Sequence, residues 1–141
     1  MGKSTEELLA ILKKKNHYAD FFQKEVGELD FSSVEEYLNT LLTEKNLKKS
    51  TAINQSGLER SYAYQIFNGT KVNPSRDKIL MLALGMGLTF EETQKLLKIC
   101  RLPLLYVRDL RDSMIIFAIE KNINLIDLNE LLSDYGLDLL E

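Results

Sequence analysis

At 141 residues and 16.2 kDa, with 45% hydrophobic and 28% charged side chains, the chain can build one ordinary core and is not a disordered or collagen-like sequence. Its net charge of −3 and its single cysteine, Cys100, exclude a uniformly basic nucleic-acid binder and an internal disulfide framework. The longest nearly apolar run, Ile79 to Leu88, covers ten residues, half of the roughly 20 that a membrane span needs. The opening MGKSTEELLA lacks the apolar stretch of a secretory leader, so the expected location is the cytoplasm, with no membrane partner.

Taken in chain order, nearly every segment carries a helical period. Ser4 followed by Glu7 is a capping-box spacing, which predicts a helix to about Lys15 with Leu8, Ile11 and Leu12 on one face. Asn16 and His17 interrupt it, and a second short helix follows with Tyr18, Phe21, Phe22 and Val26 as its stripe. These aromatics are expected to be core, or else a partner-facing patch. Gly27 to Ser32 reads as a connector. Ser33 and Glu36 repeat the capping spacing and open a third helix, with Val34, Tyr37, Leu38, Leu41 and Leu42 buried and Asn46 at its end.

Charge is unevenly distributed. Residues 44–78 hold seven Lys/Arg against three Asp/Glu, a net of +4, whereas residues 1–43 and 79–141 carry −3 and −4. Within this basic island lies LKKSTAINQSGLERSYAYQIFNGTKVNPSRDKIL, residues 47–80. Gly57 permits a sharp helix exit, Leu58, Ala63 and Ile66 are apolar anchors, Gly69 reads as a C-terminal cap and Pro74 prepares the next helix.

This ordered pattern, completed by Asn68-Gly69 and Asn73-Pro74, resembles the helix-turn-helix of the phage-repressor/Cro and xenobiotic-response-element regulators. The resemblance implies an all-α chain with a lambda-repressor-like five-helix domain over residues 32–105. Residues 1–31 would be an N-terminal helical extension and residues 106–141 a C-terminal helical hairpin. It implies a recognition helix at about Glu59–Asn68 in the major groove, with Arg60, Ser61, Tyr64 and Gln65 reading bases. Arg60 suits O6 and N7 of guanine, and Gln65 suits N6 and N7 of adenine. Lys49, Asn68, Gly69, Thr70 and Lys71 would contact phosphate. Three departures stand out. Ala52-Ile53 replaces the family's usual Leu-Ala pair. Glu59 takes the recognition-helix N-cap where Ser or Thr is usual, and is expected to cap less well and to repel phosphate. Phe67 replaces a frequent glutamate and is expected in the core or an interface.

Beyond the motif the sequence repeats itself at an offset of 35, residues 75–105 aligning without gaps on residues 110–140. Arg76/Arg111, Asp77/Asp112, Ala83/Ala118, Leu96/Leu131, Leu97/Leu132, Leu102/Leu137, Leu104/Leu139 and Leu105/Leu140 are identical. Each copy reads as a helix, a tight turn with Thr89 or Asn124 as N-cap, a second helix and a leucine tail. The aspartates at the helix starts complement the macrodipole. The alternatives are a structural duplication or a chance likeness of amphipathic hairpins. Leu125, Leu128, Leu131, Leu132, Leu137, Leu139 and Leu140 are expected either to form a dimer surface or to pack on the preceding helices.

No glycine-rich phosphate loop, triad order or paired catalytic carboxylates appear, so no enzyme and no cofactor are expected. His17 has no Cys or His at metal-ligand spacing, so no metal site is expected, and Cys100 reads as a packed small hydrophobe. The expected function is sequence-specific binding of double-stranded DNA by a homodimeric transcriptional regulator, a repressor by preference, with the terminal helices available to a protein partner. The alternative is a non-catalytic protein–protein adaptor or antitoxin-like partner that keeps the same fold. The acidic total, Glu59, and the aromatic Tyr62, Tyr64 and Phe67 support it.

Overall fold

A computed structural model describes residues 2–25, 33–71 and 73–141. Among these residues the regular structure is entirely helical, in accord with the all-α class. They fall into two compact units, residues 1–31 and 32–141.

The first unit contains α1 (Thr5–Lys13) and α2 (Tyr18–Glu25). Ser4 Oγ accepts the Glu7 amide at 3.1 Å, so the first half of the capping pattern forms as expected. Of the aromatic stripe only Phe21 is buried; Tyr18 is 62% exposed and Phe22 48%. Two short helices can cover one stripe between them, and the remaining rings stay on the surface. Lys3 Nζ reaches the buried Glu25 carboxylate at 2.6 Å. Val26 and the connector 27–32 lie outside the described residues.

The second unit comprises α3 (Val34–Glu44), α4 (Lys49–Ser56), α5 (Arg60–Phe67), α6 (Arg76–Met86), α7 (Phe90–Ile99), α8 (Leu110–Lys121) and α9 (Leu125–Asp134). Ser33 caps α3 by accepting the Glu36 amide, and Tyr37, Leu38, Leu41 and Leu42 are buried as their spacing predicts. Asn46 leaves the helix end in a left-handed conformation, φ 52°. The centre of the core is α6, in which Ile79, Leu80, Leu82 and Ala83 are at most 1% exposed. A helix buried on several faces must be approached closely by its neighbours. At Gly85 the approach is extreme: a Cβ there would lie 2.6 Å from the Ser56 amide nitrogen and 2.7 Å from the Ala52 carbonyl oxygen, both backbone atoms of α4.

The repeat at offset 35 is also seen in the structure, where several bonds of one copy recur in the other. Leu88 and Ile123 amides donate to Ala83 and Ala118 carbonyls, and Leu102 and Leu137 amides to Leu97 and Leu132. Gly87 and Asn122 both take left-handed caps, and Thr89 and Asn124 both cap the second helix with their side chains. Gln94 clasps the backbone of Leu105 through both amide atoms, at 3.0 and 2.8 Å; Asn129 clasps Leu140 at 3.1 and 2.8 Å.

The two hairpins are joined by exchanged ion pairs. Arg76 of the first makes a fork with Asp112 of the second at 2.9 and 2.8 Å, while Arg111 of the second makes one with Asp77 of the first at 3.0 and 3.1 Å. Each arginine also donates to two carbonyls of its own tail, Pro103 and Leu104 or Asp138 and Leu139. Residue i meeting j′ while i′ meets j is the signature of a local two-fold relation, not of a translation along a solenoid. Burial would push the Asp112 carboxyl up. Hydrogen bonds from Arg76 and the Tyr106 amide, and the charges of Arg76 and Arg111, outweigh it and hold the group below its usual value.

Residues 106–141 thus sit in the same compact unit as residues 32–105. Of the leucines offered as a dimer surface, Leu128, Leu132 and Leu140 are buried within the chain, and Leu139 alone is classed as exposed, at 40%.

Candidate nucleic-acid interface

The site is built on α4, its turn and α5. Gly57 has φ 74°, the left-handed value that the sharp exit requires. Ser56, fully buried, ties the turn: its hydroxyl donates to the Ile53 carbonyl at 2.7 Å and accepts the Leu58 amide at 3.1 Å. Nothing in the periodicity marks Ser56, because its role depends on the turn being formed. Leu58, Ala63, Ile66 and Phe67 then anchor α5, all 8% exposed or less. Phe67 is core, one of the two places its sequence position allowed.

Glu59 does cap α5. Its carboxylate oxygens accept the Ser61 amide at 3.1 Å and the Tyr62 amide at 2.8 Å. The longer glutamate side chain folds back far enough to engage two donors. One unit of negative charge therefore lies at the start of the helix, facing the partial positive charge of its N-terminus.

The opposite face of α5 is solvent-facing at Arg60, Ser61, Gln65 and Asn68, and half-buried at Tyr64. The Arg60 guanidinium lies 5.7 Å from the Tyr64 ring centroid, which steadies a long side chain on the surface. Lys49 Nζ lies 5.3 Å from the Phe67 ring and Lys71 Nζ 5.4 Å from the Tyr62 ring. The structure therefore gathers the four expected base-reading residues on one face, with Lys49 and Lys71 on either side in sequence.

At the end of α5 the backbone is less available. The amides of Asn68, Gly69 and Lys71 donate to the Tyr64, Ile66 and Gln65 carbonyls, at 2.9, 3.2 and 3.1 Å. What Asn68, Thr70 and Lys71 present outward is their side chains, and all three are exposed. Gly69 is pressed against Glu35 of α3, whose carboxylate lies 2.8 Å from where a Cβ would stand. Asn39, on the same helix, donates to the Phe67 carbonyl at 3.1 Å and so holds the end of α5 in place.

By contrast, the start of α4 has no side-chain cap; Lys48, at the N-cap, makes no such bond, and Lys49 is the first helical residue. Unsatisfied amides beside two lysines are a favourable place for an anion. Two other cations of the basic island are engaged elsewhere: Arg76 by Asp112, and Lys45 by Glu92 at 2.8 Å. Burial pushes the Cys100 thiol up to about 11, which leaves it a thiol at neutral pH.

No protein-family model, curated protein or solved structure matches the chain. No helix among the described residues is long and apolar enough to cross a membrane.

Proposed function

We propose that the chain is a sequence-specific, double-stranded-DNA-binding transcriptional regulator of the phage-repressor type, with α3 to α7 as its lambda-repressor-like domain and α5 as its recognition helix. The observation that carries this reading is the solvent face of α5. Arg60, Ser61, Tyr64 and Gln65 stand together opposite the buried Ala63, Ile66 and Phe67, beside the uncapped basic start of α4. Side chains of this kind match the donor and acceptor pattern of a major groove, while Lys49 and Lys71 supply phosphate contacts that fix the register. The protein acts without a cofactor and without catalysis. It binds as a homodimer, because one recognition helix buries too little surface for a specific affinity and two half-sites about 34 Å apart restore it.

The test is fluorescence anisotropy on a duplex selected from random sequence, at several salt concentrations. Affinity should fall linearly in log units with log salt, and Lys49→Ala should flatten that slope by about one while weakening every sequence alike. Arg60→Ala together with Gln65→Ala should remove the preference for the selected sequence, about 1–3 kcal/mol for each bidentate contact. Absence of duplex binding at low salt by a protein with an intact helical spectrum would sink the proposal. The reading that would then stand is a protein–protein adaptor. It is favoured by one specific feature: carboxylates at both ends of α5, Glu59 at its N-cap and Glu35 against Gly69.

A further inference from the structure

The exchanged Arg–Asp pairs pin the two hairpins together at the starts of α6 and α8. At the other ends of the same helices a half-open cavity of about 570 Å³ separates them. Its walls come in pairs related by the repeat, Leu84 with Ile119 and Leu88 with Ile123 among them, so the cavity straddles the local two-fold. A third wall is the α4–α5 turn at Gly57, and the start of α9 closes the fourth side with Leu125 and Ile126. Four carboxamides, Asn54, Gln55, Asn122 and Asn124, also line it and supply donors and acceptors.

We infer that this cavity is a binding site for an uncharged, mostly apolar small molecule, and that its occupation is felt at the turn before the recognition helix. The volume lies within the range of roughly 300–1,000 Å³ typical of small-molecule sites. The chemistry follows from the lining. Although 28% of the chain is charged, no charged side chain among the described residues borders the cavity, so an ion would enter without a counter-charge. Aliphatic walls with a few marginal amides suit a neutral molecule that carries one or two hydrogen-bonding groups. The coupling follows from one contact. Leu125 Cδ2 lies 2.6 Å from where a Cβ on Gly57 would stand, so the side chain rests directly on the turn. A ligand that fills the space beside Leu125 must displace it or hold it there, and either result moves or stiffens the link between α4 and α5. The site stands without the DNA-binding reading; only a consequence for DNA affinity rests on that reading.

The probe is N-phenyl-1-naphthylamine, a neutral fluorophore, compared with its anionic relative 8-anilinonaphthalene-1-sulfonate, both titrated into the full chain without DNA. The expected result is one saturable site for the neutral probe and binding of the sulfonate weaker by at least about tenfold. Leu84→Trp, which fills the cavity, should abolish the signal. Should that variant misfold, Ile126→Asp serves instead. Ile126 is 77% exposed on the first turn of α9, where an aspartate suits the helix and sets a charge at the mouth. It should weaken the neutral probe by about tenfold or more. Amide spectra should show the probe shifting Gly57 and Leu125. A non-saturating signal, equal binding of the two probes, indifference to both substitutions, or shifts confined to Tyr18 and Phe22 would each overturn the inference. So would loss of the probe site on self-association, which would make the cavity an interface between two copies.

Discussion

Gly85→Ala sets two effects of known sign against each other. In an open helix the change stabilises by about 1 kcal/mol, because alanine has the better helix propensity. In α6 the new methyl would lie 2.6–2.7 Å from three backbone atoms of α4: the Ser56 nitrogen, the Ser56 Cα and the Ala52 carbonyl oxygen. Ordinary contact needs 3.5–4.0 Å, so α4 must retreat by roughly 1 Å. Backbone cannot rotate away as a side-chain tip can, which places the cost near the top of the 1–3 kcal/mol range for overpacking. The net expectation is a loss of about 2 kcal/mol, seen in urea titration, and a fall in Tm of roughly 5–10 °C. Because α4 carries Lys49, duplex binding should weaken too, with the helical spectrum retained. Unchanged or increased stability would refute the reasoning, since it would mean that α4 and α6 do not touch at Gly85.

Two further substitutions test other parts of the argument. Asp112→Ala leaves Arg76 partly buried without its carboxylate, and should cost about 2–3 kcal/mol in denaturant titration. Since the Asp112 carboxyl is held below its usual value, its contribution is present above about pH 4 and is lost as pH falls through the folded value. The parent should therefore lose more stability between neutral pH and about pH 3 than the variant does, and parallel curves would contradict the pairing. Glu59→Ser keeps a side-chain cap while removing a negative charge from the start of α5. Stability should change by less than about 0.5 kcal/mol and duplex affinity at low salt should rise about three- to tenfold, an increase that disappears at high salt. An unchanged affinity would show that this end of the helix faces away from DNA.

What the sequence disclosed was whatever is encoded locally. Ser4, Ser33, Thr89 and Asn124 cap the helices they precede because capping is decided within four residues. The solvent face of α5 was legible for the same reason: Ala63 and Ile66 alternate with Arg60, Ser61 and Gln65 at helical spacing. Features that need two distant segments were hidden. Arg76-Asp77 and Arg111-Asp112 looked like charges placed for the helix dipole, and only proximity across 35 residues turns them into exchanged ion pairs. Nothing in the sequence around Gly85 marks it, because its role depends on α4 being set against it. The cavity was invisible because its walls come from four stretches, each of which reads separately as ordinary core or turn. Of the two expectations for the aromatic stripe, burial fails at Tyr18 and Phe22, because such a stripe announces what a helix can bury, not whether enough partner surface exists to bury it.

The reciprocal ion pairs carry a consequence for which substitutions such a chain can tolerate. Two separate identical hairpins meeting about a dyad would make the same contacts, and there every substitution would appear twice, once on each side. Joined in one chain, each side can change alone. The pairs Leu82/Phe117 and Gly85/Glu120 differ in this way. In the first hairpin, where α4 lies against the helix, these positions hold a buried leucine and a glycine; in the second, an aromatic 49% exposed and an exposed acid. The arginines and aspartates that hold the two sides together are alike in both hairpins, and either one altered alone would strand its partner, while the outer faces differ: a seat for α4 on one side and open surface on the other.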